Sequence, residues 1–419
     1  MLPKLITNNL ESLIQGPTAP DGLKLHLSKG AKRLATPWQV AVDRAERIQL
    51  CDIPKGIILD PACGSGIQLA AYCHVLDKAG VGIELSNEVA IAAAGNLWRV
   101  GVFERSEEAD WLSMSKIIVG DGTDAKACMN LAEISQISFL HIDPARPANS
   151  RTHGLNEMRP QLPAIFANWH SYLNAENGSP ALILDLSPRL SMAQCDEVEE
   201  LVRNEFGGIE MTWEWTSRGG GRVDRLSLWA GAVAEASVGC RFVRISPHIS
   251  GQSKVIKGEM GRNSLKPSSV GISKVRKNEY VSIIDAALTS SGLAEEWLNS
   301  VLADEDTFRW LVCDGRRPMI AHSKPLQFGD EGDSIMVQTS GQIEAFFSPV
   351  LSEATVGELA ELAASLGIHS LTLRATLSPD IQPRLQSTLH RLLKHQQKHY
   401  GGFVIDDPTS SQLLICKTV

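Results

Sequence analysis

Two glycines and four carboxylates set what this chain could do chemically. Gly64 and Gly66 lie in Asp60-Pro61-Ala62-Cys63-Gly64-Ser65-Gly66, directly after the apolar run Ile57–Leu59. Glycine permits a tight turn and lets a ligand come close to the backbone. The helical stretch from about Ile67 leaves free amides at its N-terminus. Eighteen residues past Gly66, Glu84 closes a second apolar run, in Gly82-Ile83-Glu84-Leu85. An acid at such a strand tip is placed to accept hydrogen bonds from ribose hydroxyls. Asp121 follows a third run, in Gly120-Asp121-Gly122-Thr123-Asp124. It could accept from an adenine amino group, or simply cap the next helix. A fourth run ends in His141-Ile142-Asp143-Pro144-Ala145-Arg146. Asp143 could bond an amino group or orient a nucleophile; an aspartate before proline is also an ordinary turn signal.

These residues need a frame that brings strand tips together. Short apolar runs at Ile57–Leu59, Gly80–Ile83, Ile117–Val119, Ile137–Ile142 and Ala181–Leu184 alternate with longer helical stretches. That alternation predicts a parallel sheet with helices on both faces. Met211–Trp215 and Leu226–Ala230 break it. They are β-type runs joined by Ser217-Arg218-Gly219-Gly220-Gly221-Arg222, which predicts an antiparallel hairpin at the end of the sheet. Ahead of the sheet, residues 1–52 read as a helical segment, with apolar spacing at Leu10, Leu13 and Ile14 and again at Val40, Ala41, Ala45 and Ile48. Thr36-Pro37 is a suitable start for the second helix. The sheet domain spans 53–240.

Residues 241–280 carry nine Lys or Arg against two Glu, which suggests a basic linker or flap. The rest, 281–419, forms an α+β module: helices over Val281–Leu298, Val356–Leu366 and Pro383–His399, and strands over Ser370–Leu377 and Gln412–Thr418.

Composition narrows the class. With 43% hydrophobic and 21% charged residues in 419, the chain is globular and long enough for two or three domains. The net charge of −8 excludes a uniformly basic coat but not a local phosphate-binding patch. Eight cysteines without a C-x-x-C pair suggest reduced thiols and no zinc site. No signal pattern or bilayer-length apolar run is present, so a cytoplasmic protein away from membranes is expected.

A glycine turn followed by an acid also occurs in dehydrogenases. Here Leu69 stands where the third glycine of a G-x-G-x-x-G turn would be, and the sheet closes in a hairpin. Both favour S-adenosylmethionine over a nicotinamide cofactor, with no metal. Asp60–Gly66, Glu84, Asp121 and Asp143–Arg146 occur in the order and spacing of class I methyltransferases, which the chain resembles. Asp-Pro-Ala-Arg is a variant of the Asn/Asp-Pro-Pro-aromatic motif of enzymes that methylate amino nitrogens. More narrowly, the chain resembles methyltransferases with a THUMP-like C-terminal domain. That likeness rests on Leu34-Ala35-Thr36, Val40-Ala41, Leu186-Ser187-Pro188, Glu214–Ser217, Leu228-Trp229, Ser282–Leu293, Leu371–Arg374 and Leu413–Cys416.

The resemblance implies a Rossmann-like class I methyltransferase sheet with an antiparallel terminal hairpin, an N-terminal helical segment and an α+β THUMP-like C-terminal domain. It implies cofactor contacts at Asp60, Ala62, Cys63, Gly64, Ser65, Gly66, Glu84, Leu85, Asp121 and Gly122, and catalytic contacts at Asp143, Pro144 and Arg146. Ala145-Arg146 replaces the proline and aromatic residue that would clamp a flipped base, so the methylated atom stays open, and Arg146 could hold a phosphate or carboxylate.

THUMP domains bind RNA, which implies a tRNA or rRNA acceptor. The basic 241–280 segment and Arg384, Arg391, Lys394 and Lys398, interleaved with His390, His395 and His399, agree with that; a solvated charged face would look the same. Arg218, Arg222 and Arg225 could line the crevice mouth. A protein or small-molecule acceptor, or an RNA-binding protein that keeps only the fold, are the alternatives.

Overall fold

A computed structural model of the chain describes residues 3–6, 15–18, 22–27, 36–103, 109–146, 154–175, 179–247, 251–258, 274–303, 306–329, 331–394 and 400–418. Two compact units divide it: Met1–Thr216 with Asp224–Asn263, and Ser217–Val223 with Ser264–Val419.

In the first unit the elements run β1 (Lys4–Leu5), β2 (Gln15–Thr18), β3 (Lys24–His26), α1 (Trp38–Gln49), β4 (Ile57–Asp60), α2 (Ile67–Leu76) and β5 (Gly80–Glu84). Then come α3 (Asn87–Val102), α4 (Asp110–Met114), β6 (Lys116–Val119), α5 (Ala125–Ala132), β7 (Ile137–Ile142), α6 (Leu162–Trp169) and β8 (Ala181–Leu186). The unit closes with α7 (Met192–Phe206), β9 (Met211–Ser217), β10 (Arg225–Gly231), β11 (Cys240–Arg244) and β12 (Lys254–Gly258).

The sheet order is β1-β6-β5-β4-β7-β8-β10-β9-β11-β12. The five strands from β6 to β8 are parallel, and β10 pairs antiparallel with both β8 and β9. This is a Rossmann-like sheet in which one antiparallel strand, β10, is inserted between β8 and β9. Every residue of β7 and β8 is buried, as continuous apolar strands covered on both faces require. Helices α1, α2 and α3 pack side by side, and so do α5, α6 and α7, giving two covering layers. Helix α2 is apolar around most of its circumference because it lies between α1 and α3.

The structure corrects the expected boundaries. Residues 1–52 are not uniformly helical: β1 pairs with the edge of β6, β2 with β3, and only α1 is an α-helix there. Leu10, Leu13 and Ile14 lie outside the described residues. The helix cap also moves by one residue. Pro37 is the N-cap of α1, while the Thr36 hydroxyl accepts a bond from Arg225 Nη2 at 2.7 Å. The β9–β10 hairpin does not end the sheet, since β11 and β12 extend it. The strand β11 is fully buried, and Val243 and Ile245 pack on Val40, so this part of 241–280 is core and not linker. Residues 259–273 lie outside the described residues.

The second unit contains β13 (Tyr280–Ile284), α8 (Ala286–Ser291), α9 (Ala294–Val301), β14 (Phe308–Val312), β15 (Met319–His322), α10 (Glu331–Ser334) and β16 (Val337–Phe347). It continues with α11 (Val356–Ser365), β17 (Ile368–Leu373), α12 (Gln382–Leu393), β18 (Tyr400–Asp406) and β19 (Leu413–Thr418). Its sheet runs β14-β15-β13-β16-β19-β18-β17, antiparallel except for the β17–β18 pair. Val281–Leu298 is therefore strand first: β13 is buried in mid-sheet, and Asp285 then caps α8 by accepting from the amides of Ala287 and Leu288. Among the described residues, no helix is long and apolar enough to cross a membrane.

Candidate active site

The loop after β4 is held by its own backbone. Asp60 Oδ1 accepts from the Ala62 amide at 3.1 Å, and the Cys63 amide donates to Ile83 O at 3.0 Å. Gly66 caps α2 in the left-handed region, with φ 68°, and a Cβ there would lie 2.9 Å from that of Ala93. Gly64 is also left-handed, with φ 52°, but a Cβ on it would meet nothing within 4 Å. Open space therefore lies beside the Gly64 backbone. Cys63 is buried, and burial holds its thiol well above the usual range, which makes it an inert wall of the loop. Ser65 is buried, and its carbonyl accepts from Asn96 Nδ2.

The neighbouring tips complete the rim. Glu84 Oε1 accepts from the Ser86 amide at 2.8 Å. Burial raises its pKa, and the amides of Ser86 and Gly64 oppose that rise. Leu85 beside it is exposed. Asp121 accepts from both the amide and the hydroxyl of Thr123, which hold its pKa down. Helix α5 is capped by Asp124, not Asp121. Gly122 makes the tightest approach: a Cβ on it would come 1.9 Å from Pro61 O, and its carbonyl takes the Trp169 indole N–H at 2.7 Å. The five adjacent parallel strands β6, β5, β4, β7 and β8 thus each carry an acid at the carboxyl edge: Asp121, Glu84, Asp60, Asp143 and Asp185.

Beneath this rim lies a buried charge network. His141 Nδ1 is 2.8 Å from Asp60 Oδ2, and its Nε2 is 3.2 Å from Asp185 Oδ2. Arg44 on α1 grips Asp185 with two bonds of 2.7 Å, and Ser227 Oγ donates to Asp185 at 2.6 Å. Burial opposes a charge on His141, but Asp60 and Asp185 outweigh it and lift the imidazole to about 9. Asp185, despite its burial, is held well below the carboxylate range by Arg44 and His141. The Asp60 carboxylate therefore faces the network and the Ala62 amide, and shapes the loop from below. Neither His141 nor Asp185 stands out by motif. Their signal is a polar residue inside an unbroken apolar strand, since a buried charge requires a partner.

Asp143 lies one step past β7 with its side chain 39% exposed. Burial raises its pKa, and the Arg225 guanidinium, 3.7 Å away, pulls it back. Pro144 is buried behind it, and Ala145 pairs with Arg159. Arg146 Nε and Nη2 are shielded from solvent and make no hydrogen bond among the described residues. Burial lowers its pKa against the pull of Asp143 and Glu157. Those two nitrogens form the edge that grips a carboxylate or phosphate with two parallel bonds. Among the described residues no group of three or more His, Cys, Asp or Glu could hold a metal ion.

No protein-family model matches the chain, and no curated protein is similar to it in sequence. A solved structure shares its fold. A Porphyromonas gingivalis W83 protein assigned as a methyltransferase is similar over 94% of this chain and 84% of its own, at 13% identity and a TM-score of 0.54. An S-adenosylmethionine-dependent methyltransferase from Agrobacterium tumefaciens is similar over 53% of this chain and 71% of its own, at 16% identity and a TM-score of 0.37.

Proposed function

We propose that this chain transfers a methyl group from S-adenosylmethionine to a nucleotide of RNA, tRNA or rRNA, with the THUMP-like second unit contributing to RNA binding. The observation that carries the methyl-transfer reading is the row of acidic strand tips around an open glycine loop. A dinucleotide brings a pyrophosphate, which the carboxylates left at the rim, Glu84, Asp121 and Asp143, would repel; S-adenosylmethionine brings a sulfonium and an ammonium, which they attract. Leu69, buried at the third-glycine position, fills the space that a close helix–strand approach would need. In this reading Gly64, Ser65 and Gly66, with Ala62 and Cys63, form the cradle. Glu84 takes the ribose hydroxyls beside Leu85, and Asp121 with Gly122 faces the adenine.

The cofactor supplies an electrophilic methyl group bonded to a positive sulfur. The chain supplies alignment and a place for one proton. Asp143 would accept the hydrogen bond of the attacking amino or hydroxyl group and take up the proton that group releases, directly or on its way to water. Arg225, 3.7 Å away, opposes the upward pull of burial on this carboxyl and so favours its ionised form. Arg146 grips a phosphate beside the target nucleotide with its shielded edge.

One observation favours a different acceptor. Part of the basic 241–280 segment is already neutralised: Arg241 pairs with Glu214 at 2.7 Å and Glu235 at 3.4 Å, and Lys257 also pairs with Glu235. A protein or small-molecule acceptor would need no free basic surface there.

The deciding assay is transfer of labelled methyl from S-adenosylmethionine to total RNA of a strain lacking this gene, with Asp143→Ala as control. Label in a discrete RNA, only with the intact chain, is expected. Confirmed cofactor binding without incorporation into RNA would move the acceptor to protein or metabolites.

A further inference from the structure

The cations of the second unit that lack acidic partners are not those its sequence advertises. Arg384, Arg391 and Lys394 project from the exposed side of α12, opposite its buried Leu385, Leu389 and Leu393, as an ordinary solvated face would. His395, Lys398 and His399 lie outside the described residues. The unusual pair is Arg317 and Arg374.

Arg374 follows β17 directly, and its amide is fixed to Val404 O at 2.7 Å. Among the described residues its Nη2 reaches only the Gln338 carbonyl, at 3.4 Å, and its Nε is shielded with no hydrogen bond. Arg317 Nη1 donates to the Arg374 carbonyl, which brings a second guanidinium alongside the first. Burial and then the charge of Arg317 push Arg374 below its ordinary pKa, and no carboxylate acts against them. The acid at the neighbouring tip, Asp406, is taken by the amide and hydroxyl of Thr376, both at 2.7 Å.

The frame around the pair is stiff. Gln386 accepts from the Leu373 amide at 2.7 Å and donates to Leu371 O at 2.8 Å, while Gln382 donates to Leu373 O at 3.1 Å. Gln338 Nε2 ties down Arg316 O at 3.0 Å, and Gly221 abuts the same carbonyl, where a Cβ would lie 2.3 Å from it. Arg316 and Arg222, both exposed, flank this backbone contact. Two half-buried guanidiniums with no acidic partner among the described residues are costly unless an anion joins them. The pair sits at the carboxyl end of β17, in the one parallel β17–α12–β18 crossover of this sheet, where α/β units commonly place ligands.

We propose that Arg317 and Arg374 hold a backbone phosphate of the RNA acceptor, with Arg316 and Arg222 at the rim of the site. The inference rests on the RNA reading above and gives it an anchor apart from the methyl-transfer site. Phosphate suits the pair because its oxygens can bridge two forks at once.

The test measures binding of total tRNA and of a labelled single-stranded RNA to the full chain by fluorescence anisotropy, across a salt series. Wild type is compared with Arg317→Met/Arg374→Met, and amide hydrogen exchange of β13–β19 in the full chain serves as the check that the second unit stays folded. The double variant is expected to lose about tenfold or more in RNA affinity, and its log–log salt slope to fall by about one. Arg374→Lys, which keeps the charge, is expected to recover part of the affinity. Unchanged RNA affinity and slope in a double variant whose second unit stays folded would overturn the site while leaving RNA methylation standing. Arginine-dependent RNA binding without methyl transfer to RNA would do the reverse. Failure of wild type to bind any RNA would overturn both.

Discussion

At the scale of single residues, the site divides its labour between a rim that meets ligands and a buried layer that holds the rim. Asp143 is half-exposed at the rim, and Asp143→Ala is expected to reduce transfer by about 10²–10⁴-fold, the usual range for a positioned proton acceptor, while cofactor affinity stays nearly intact. Glu84→Ala is expected to weaken cofactor binding first. Calorimetric titration of both variants decides the matter, because equal losses of affinity would contradict the division. His141 belongs to the buried layer. Its folded pKa of about 9 lies above the ordinary 6.5, so the stability it contributes is complete below about pH 6.5 and disappears as pH climbs through 9. A shift of that size corresponds to on the order of 3 kcal/mol. Urea midpoints of wild type should therefore fall across this window, and those of His141→Gln, which keeps a polar amide but cannot titrate, should fall less. Parallel profiles would show that another group carries the dependence.

At the scale of elements, cofactor loops that meet across the sheet edge must fit one another. Gly122, in the loop after β6, touches Pro61, in the loop after β4, so closely that no side chain fits between them. Gly122→Ala is expected to part these loops, costing more than the roughly 1 kcal/mol typical of point changes. The cofactor should then raise the melting temperature of this variant less than that of wild type. An equal shift in both would mean that the loops move independently.

This contact is also where reading from sequence stops. The strands from β4 to β8 and the β9–β10 hairpin are legible because apolar runs bounded by turn residues have few alternatives. Strand β13 is not, since Val281, Ile284, Ala287 and Leu288 also satisfy a helical period, and a short apolar run cannot decide between them. Likewise the motifs mark Asp60, Glu84 and Asp143, but nothing local joins Arg44 to Asp185 across 141 positions of chain. Only the fold makes that pair.

At the scale of the whole molecule, the chain carries a net charge of −8 and an acid-rimmed cofactor site, yet its proposed acceptor is a polyanion. The two requirements are compatible only if cofactor and RNA affinity come from separate surfaces, because the carboxylates that attract a sulfonium repel phosphates. The first unit has its own buried core, built on α1, α2, α3 and the central strands, and the second has cores on β13–β19 with α11 and α12. Each therefore has the apolar burial that an independently folding domain needs. A chain ended after Asn263 is expected to fold cooperatively and to bind S-adenosylmethionine as the full chain does, while losing most of its affinity for RNA. Calorimetry with the cofactor and anisotropy with tRNA read the two properties separately. Loss of cofactor binding on truncation would mean that the second unit helps to build the methyl-donor site. Undiminished RNA binding would instead place the RNA surface on the first unit, where Arg146 is the leading cation.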